Sequence, residues 1–389
     1  MIKESQTFFT TDAGRPTVVS EETFLHLALN RTPGIGYSTA RNLISYTGSI
    51  QEVFSSSRNT LLRIPGIGTK TIQGILNKSS FAEAERIIDE CEQSSINIVH
   101  FQDQDYPRQL RDVFDAPTLL FIKGDLSTLK QRSVAIVGTR KATPYGKEVT
   151  RNMVAELSKL DTAIVSGLAY GIDIEAHKSA LQHQLTNHAV LASGLNVIYP
   201  KAHWSTAQKI NKTGCLISEN PPSTQPDARL FPARNRIIAA LADVTIVVEA
   251  AEKGGALITA NIAYSYDKPV FAVPGNLTNS VSVGCNNLIK QQKALIYTGI
   301  NDLLYHLNWD GNIKETDRTS YETLNLTREE KAILMAIRKS PEGMAVDEIS
   351  WNSQVPLSQL ASLLLALEFS GLINSLPGKK YQVKRPIPA

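Results

Sequence analysis

Over the middle of the chain, from about residue 95 to residue 300, short aliphatic runs alternate with helix-length stretches. Val134–Val137, Ala163–Val165, Ala189–Leu191, Cys215–Ile217, Thr245–Val248 and Val270–Val273 are almost unbroken apolar runs rich in β-branched residues. Such runs suit strands covered by helices on both faces rather than strands with one wet face. The alternation predicts an α/β domain over 95–308, a Rossmann-like, doubly wound parallel sheet.

The flanks carry a different period. Helical spacing through Phe24, Leu25, Leu27 and Leu29 runs into Pro33-Gly34-Ile35-Gly36, and Leu61-Leu62-Arg63-Ile64 runs into Pro65-Gly66-Ile67-Gly68. Helix-compatible stretches follow both turns, so 21–92 reads as a helical module, after a polar lead over 1–20 that reads as disordered or expression-derived. A polar linker over 309–322 precedes a third region, 323–389. There Thr327 and Glu330 stand at capping-box spacing ahead of apolar positions at Ile333, Leu334 and Ile337. Val346 to Ile349 and Leu360 to Leu367 predict two more helices, and Gly371 to Val383 reads as a hairpin. Three helices and a hairpin make a winged helix.

Composition narrows the function classes. The 389 residues exceed one ordinary domain, and 42% hydrophobic against 20% charged residues describes a soluble chain with a real core. A net charge of only +3 means that any polyanion site must be a local cluster. Cys91, Cys215 and Cys285 stand singly, which disfavours zinc fingers and disulfide frameworks and fits a reduced cytoplasm. Met1 to Gln6 lack the apolar core of a signal peptide and no 18-residue apolar run occurs, so neither a leader nor a membrane span is expected.

In a doubly wound sheet, ligands collect beyond the carboxyl ends of the strands. Gly138-Thr139-Arg140, Ser166-Gly167-Leu168-Ala169, Phe231 to Arg236 and Lys253-Gly254-Gly255-Ala256 all fall there. Phe231-Pro232-Ala233-Arg234-Asn235-Arg236 enters an apolar helix, and helix N-termini attract anions. An aromatic ring and guanidinium groups at that entrance suit phosphates and flat bases, hence nucleic acid. The candidate pocket is therefore Arg140, Ser166, Gly167, Phe231, Arg234, Asn235, Arg236, Lys253, Gly254 and Gly255. Phe231 is offered to a base, Arg140 and Arg234 to phosphates, and Ser166 to an anion beside exposed amides. Whether Arg236 faces the ligand or the interior stays open, and Arg140 could instead serve a structural salt bridge. Charge reversal at Arg140 or Arg234 is expected to weaken binding and leave folding intact.

Cofactor and catalytic signatures are missing. The run after the first predicted helix-flanked strand is G-T-R-K-A-T-P-Y-G, not G-x-G-x-x-G, and no acidic ribose ligand ends the next strand, so no cofactor is expected. Ser166 lacks the G-x-S-x-G elbow. Asp173 and His177 lie one helical turn apart, which suits acid–base work or, more cheaply, an N-capping aspartate and a packed histidine. No metal site and no catalytic residue is assigned.

The paired P-G-I-G turns resemble tandem helix-hairpin-helix motifs. Gly34, Gly36, Gly66 and Gly68 would let backbone amides approach a phosphate, with Lys70 adding charge; a helical packing module is the other reading. In the winged helix, the helix from Leu357 to Ser370 has no Lys or Arg, whereas the wing carries Lys379 and Lys380. An accessory or partner-binding role is favoured there over duplex reading.

Tyr106-Pro107-Arg108-Gln109-Leu110, then V-A-I-V-G-T-R, S-G-L-A-Y-G-I-D, N-V-I-Y-P, F-P-A-R-N-R, G-G-A-L-I-T-A and C-N-N-L-I follow in order. The chain is identified by them as a member of the DNA-processing protein A family. The resemblance implies single-stranded DNA binding, a homodimer, and loading of the recombinase RecA onto incoming strands during natural transformation. It also implies a SAM-like N-terminal module. The family's G-[ST]-R arginine falls on Arg140, its S-G-x-A turn on Ser166 and Gly167, its F-P-x-R-N segment on Phe231, Arg234 and Asn235, and a final glycine on Gly255. Departures are local: Gly254 and Ala256 stand where the family commonly has serines. The rival class is a nucleotide hydrolase of the lysine-decarboxylase-like fold. Its signature glutamate falls on Asn261, which leaves Glu249 as the substitute carboxylate.

Overall fold

The structure, a computed structural model, describes residues 19–309, 326–340, 343–370, 372–376 and 380–383. Most of the predicted lead and linker, and Lys379, lie outside the described residues. The chain divides into two compact units, 1–312 and 313–389.

The first unit is built on a nine-stranded sheet: β1 Asn97–His100, β2 Leu119–Gly124, β3 Arg132–Val137, β4 Thr162–Ser166, β5 Asn187–Val190, β6 Cys215–Ser218, β7 Val244–Val247, β8 Val270–Ala272 and β9 Leu295–Ile296. Their spatial order is β1-β2-β6-β5-β4-β3-β7-β8-β9. All six predicted strands are present and parallel. The expectation of a parallel sheet fails at one edge, where β2 runs antiparallel to both β1 and β6. Leu119-Leu120-Phe121-Ile122 is a buried apolar run, and such a run does not state its direction.

Alternate residues of each strand serve opposite layers. Val134 and Ile136 pack with Met153, Val154, Leu157 and Ala176, from the helices Pro144–Leu157 and Ile172–Gln182. Ala135 and Val137 pack with Ile237, Ala240, Ala256 and Ala260, from the helices Leu230–Leu241 and Gly255–Ser265. The chain moves outward from β3 through β4 and β5 to β6, then crosses to β7 and moves the other way. The switch point lies between β3 and β7, where loops diverge and leave a crevice.

The N-terminal helices do not stand apart from the sheet. Leu27 and Ala28 of the helix Glu21–Arg31 and Ile87 and Ile88 of Phe81–Gln93 share one core with Leu119, Phe121 and Leu216. The two P-G-I-G turns have the same shape, with Gly34 at φ +84° and Gly66 at φ +80°, where a side chain is strained. Each leads into a helix, Tyr37–Thr47 or Thr69–Leu76, whose N-cap glycine (Gly36 or Gly68) supplies no side-chain cap.

The second unit has helices Arg328–Arg338, Val346–Ser353 and Leu357–Phe369 and a small antiparallel sheet that includes Ile373–Leu376 and Lys380–Val383. The capping box forms as expected: the Glu330 amide donates to Thr327 Oγ1 at 3.2 Å and the Thr327 amide to Glu330 Oε2 at 2.8 Å. Among the described residues, no helix is long and apolar enough to cross a membrane.

Candidate nucleic-acid interface

A cavity of about 540 Å³ opens at the switch point. Its walls come from the turns after β3 and β7 and from the first turns of the helices Leu230–Leu241 and Gly255–Ser265. Phe231, Arg234, Asn235 and Ile238 recur at i, i+3, i+4 and i+7, so one helix face presents all four to it. The ten predicted residues divide by depth.

Five keep a group open to the cavity. Arg140 is exposed and stacks its guanidinium 5.3 Å from the centroid of the Phe231 ring; among the described residues it has no ion-pair partner. Lys253 is exposed at the rim, and Gly254 and Gly255 open their helix with no side-chain cap, so its first amides are available to an anion.

Four others, Ser166, Gly167, Arg234 and Asn235, are buried and bonded within the protein, although Arg234 and Asn235 still line the cavity wall. Ser166 is fully buried and its hydroxyl donates to Ile136 O at 2.6 Å. The Gly167 amide donates to Asp173 Oδ2 at 3.2 Å, and its carbonyl accepts from Arg234 Nη1 at 2.5 Å. Arg234 also donates to Val190 O and, through Nε, to Asn235 Oδ1 at 3.3 Å. Burial lowers its pKa to about 10, while the neighbouring Asp173 carboxylate holds it up. A guanidinium titrating there stays charged, and its charge is matched inside the floor. Asn235 reaches Gly255 O through Nδ2 at 3.4 Å and ties the two cavity helices together.

Arg236 faces away. Its Nη2 donates to both carboxylate oxygens of Glu219 at 2.6 Å, Nη1 donates to Asp115 O, and the group covers the Tyr37 ring at 5.3 Å. Five residues past Phe231, it lies around the helix from the cavity face.

Asp173 and His177 are structural. The helix N-cap is Gly171, not Asp173, so that part of the expectation is corrected. Burial raises the Asp173 carboxyl against the pull of Arg234. His177 is fully buried, accepts from the Leu168 amide at Nε2 (3.3 Å) and pairs Nδ1 with Asn187 Oδ1 at 2.6 Å. Burial lowers its pKa to about 4, so the ring is neutral and shielded at neutral pH. Glu249 is committed elsewhere: it accepts from the amide (3.0 Å) and hydroxyl (2.5 Å) of Thr143, the residue that caps the helix beginning at Pro144. Asp173 is the one carboxylate lining the cavity among the described residues.

Among the described residues, one group could offer a metal three ligands, namely Glu22, His26 and His100. Its imidazoles stack 4.3 Å apart and only 12° from parallel. An ion cannot lie in both ring planes of such a pair, where the nitrogen lone pairs point. The accessory candidates Gly34, Gly36, Gly66, Gly68, Lys70 and Lys380 are exposed. Thr139, Ile258 and Thr259 also line the cavity, and no motif had marked them as contacts.

These parts define a class. Residues 97–308 match the family described as DNA recombination-mediator protein A, residues 319–379 the DprA winged helix domain, and residues 27–78 a SAM-like helix-hairpin-helix tandem. The chain belongs to the DNA-processing protein A (DprA/Smf) family. It is 31% identical to Protein Smf of Synechocystis sp., over 92% of this chain and 97% of that one. The X-ray structure of DNA processing protein A from Streptococcus pneumoniae is similar with a TM-score of 0.61 at 33% identity, over 73% of this chain and 97% of that one. Helicobacter pylori DNA processing protein A, described with a unique single-stranded DNA binding mode, gives 0.50 at 33% identity, over 55% and 96%.

Proposed function

We propose that this chain binds single-stranded DNA in the switch-point cavity, and that it protects incoming strands and loads RecA onto them in transformation and recombination. The observation that carries the binding step is the contrast between Arg140 and Arg234. One arginine is unpaired and laid against an aromatic ring; the other is neutralised beneath it. A base on Phe231 and phosphates on Arg140, Lys253 and the Gly254–Gly255 amides would use every open group. Contacts directed at phosphate and ring faces read little sequence. The Helicobacter pylori relative's single-stranded DNA binding supports the same reading.

Binding without turnover is the reading favoured here, because the lining carboxylate, Asp173, already accepts from Gly167 and neighbours Arg234. The helix-hairpin-helix glycines and Lys70 are proposed as auxiliary phosphate contacts. Homodimerisation and the RecA contact rest on family membership.

The test is fluorescence anisotropy of a labelled oligothymidylate with the wild type and Arg140→Glu. The variant should bind about tenfold or more weakly, having lost a charge-assisted contact, with an unchanged melting temperature. Equal affinity would remove the cavity from the proposal. RecA filament formation on coated strands, with and without the protein, tests the loading step.

A further inference from the structure

A second, smaller depression adjoins the main cavity across Arg140 and Phe231. Its walls are Tyr170, Tyr199 and Phe231, and its floor is Gly167, Ala169 and Ala192. At about 30 Å³ it holds no more than a water or two. A nucleobase cannot enter it, but can lie across its aromatic rim.

Two features separate this rim from ordinary exposed tyrosines. Both rings are held in place by packing. Tyr170 stands edge-on to His203 at 4.8 Å, and His203 is buried with Nδ1 2.7 Å from Leu168 O. Tyr199 stands edge-on to Phe231 at 5.9 Å, ahead of the buried Pro200. Each is nonetheless about half exposed, 49% and 48%, so a fixed ring face is offered to solvent. The surroundings also suit a polyanion: no carboxylate lines the depression, and Arg140 stands at its edge. Neither tyrosine hydroxyl is engaged by a hydrogen bond to another described residue. Aromatic rings held beside a free cation are the components of a stacking platform for single strands.

We infer that Tyr170 and Tyr199 form a second base-stacking step, so that a bound strand leaves the main cavity past Phe231 and covers at least two bases. The inference rests on the cavity's reading as a single-strand site. It extends that site in one direction, toward the turns after β4 and β5.

Oligothymidylates carrying one 2-aminopurine at successive positions test it on the full-length protein, with anisotropy for affinity. The wild type should quench the probe at two or more positions. Tyr170→Leu/Tyr199→Leu, which keeps apolar bulk against His203 and Phe231, should lose quenching at one of them and bind about fivefold or more weakly. Tyr170→Phe/Tyr199→Phe should retain both. Leucine variants with wild-type quenching and affinity, while Arg140→Glu still binds weakly, would overturn the second step and leave the cavity standing. A wild type that binds no single strand would overturn both. Melting temperatures of all variants report whether each has folded.

Discussion

Arg234 Nη1 lies 2.5 Å from the carbonyl oxygen of Gly167, under the cavity floor rather than in its mouth. A Cβ on Gly167 would come within 2.6 Å of that nitrogen, so any side chain there would displace the guanidinium from its carbonyl partners. The guanidinium also donates to Val190, so one side chain clamps the ends of two neighbouring strands.

Arg234→Ala should therefore destabilise the fold. Its loss leaves the buried carbonyls of Gly167 and Val190 without their donor, typically about 1–3 kcal/mol for each unsatisfied group, and removes the charge that favours the buried Asp173 carboxylate. Urea unfolding should show a lowered midpoint for Arg234→Ala and an unchanged one for Arg140→Ala. Equal midpoints would mean that the floor does not depend on the clamp.

Salt dependence should count the open cations. Each phosphate neutralised on a single strand contributes about 0.7 to the slope of log affinity against log salt. Arg140→Ala and Lys253→Ala should each flatten the slope by about that amount, and the double variant by about twice it. Arg236→Ala should leave the slope unchanged, since its charge is spent on Glu219. A flattened slope in Arg236→Ala would argue for a contact outside the cavity.

Acid should destabilise the domain through its buried histidines. Burial lowers His177 and His188 to about 4 each, from an ordinary value of 6.5. The unfolded chain then binds more protons between pH 6.5 and 4, so their contribution is complete above about 6.5 and is lost as pH falls toward 4. Each gives up to about 1.4 kcal/mol per pH unit within that window. Raised carboxyls such as Asp173 and Glu219 act in the opposite sense. They cancel when the wild type is compared with His188→Gln. The variant should lose less stability than the wild type between pH 6.5 and 4; parallel curves would exclude His188 from the effect.

Deleting residues 320–389 should leave single-strand affinity within about twofold, because all the open cavity groups belong to the first unit. The helix Leu357–Phe369 carries no Lys or Arg and exposes Leu365 and Phe369. Measured separately, duplex affinity should also be little changed. A large loss on duplex alone would assign reading to the wing, where Lys380 is exposed.

Most of the fold was legible because buried strands and amphipathic helices leave periodic traces in the chain. The six parallel strands, the paired P-G-I-G turns and the Thr327–Glu330 capping box all follow from spacing and turn chemistry. The antiparallel strand Leu119–Gly124, second from the edge, was not read, because a single short apolar run carries neither a period nor a direction. The site was legible as a set of turns but not residue by residue. Arg140, Arg234 and Arg236 look alike on paper. Their fates differ through helical phase and through the partners that β4, β5 and the Glu219 segment bring to them.

By itself the sequence determined the layered α/β plan, its helical flanks and the end of the sheet where a ligand collects. These depend on local periodicity and on the rule that loops at a switch point diverge. Only the tertiary structure decided which arginine is free, that Ser166 and Asp173 build the floor, and that Tyr170 and Tyr199 share a rim. Burial and pairing depend on residues far away in the chain, and a charge does its work only where the fold leaves it without a partner.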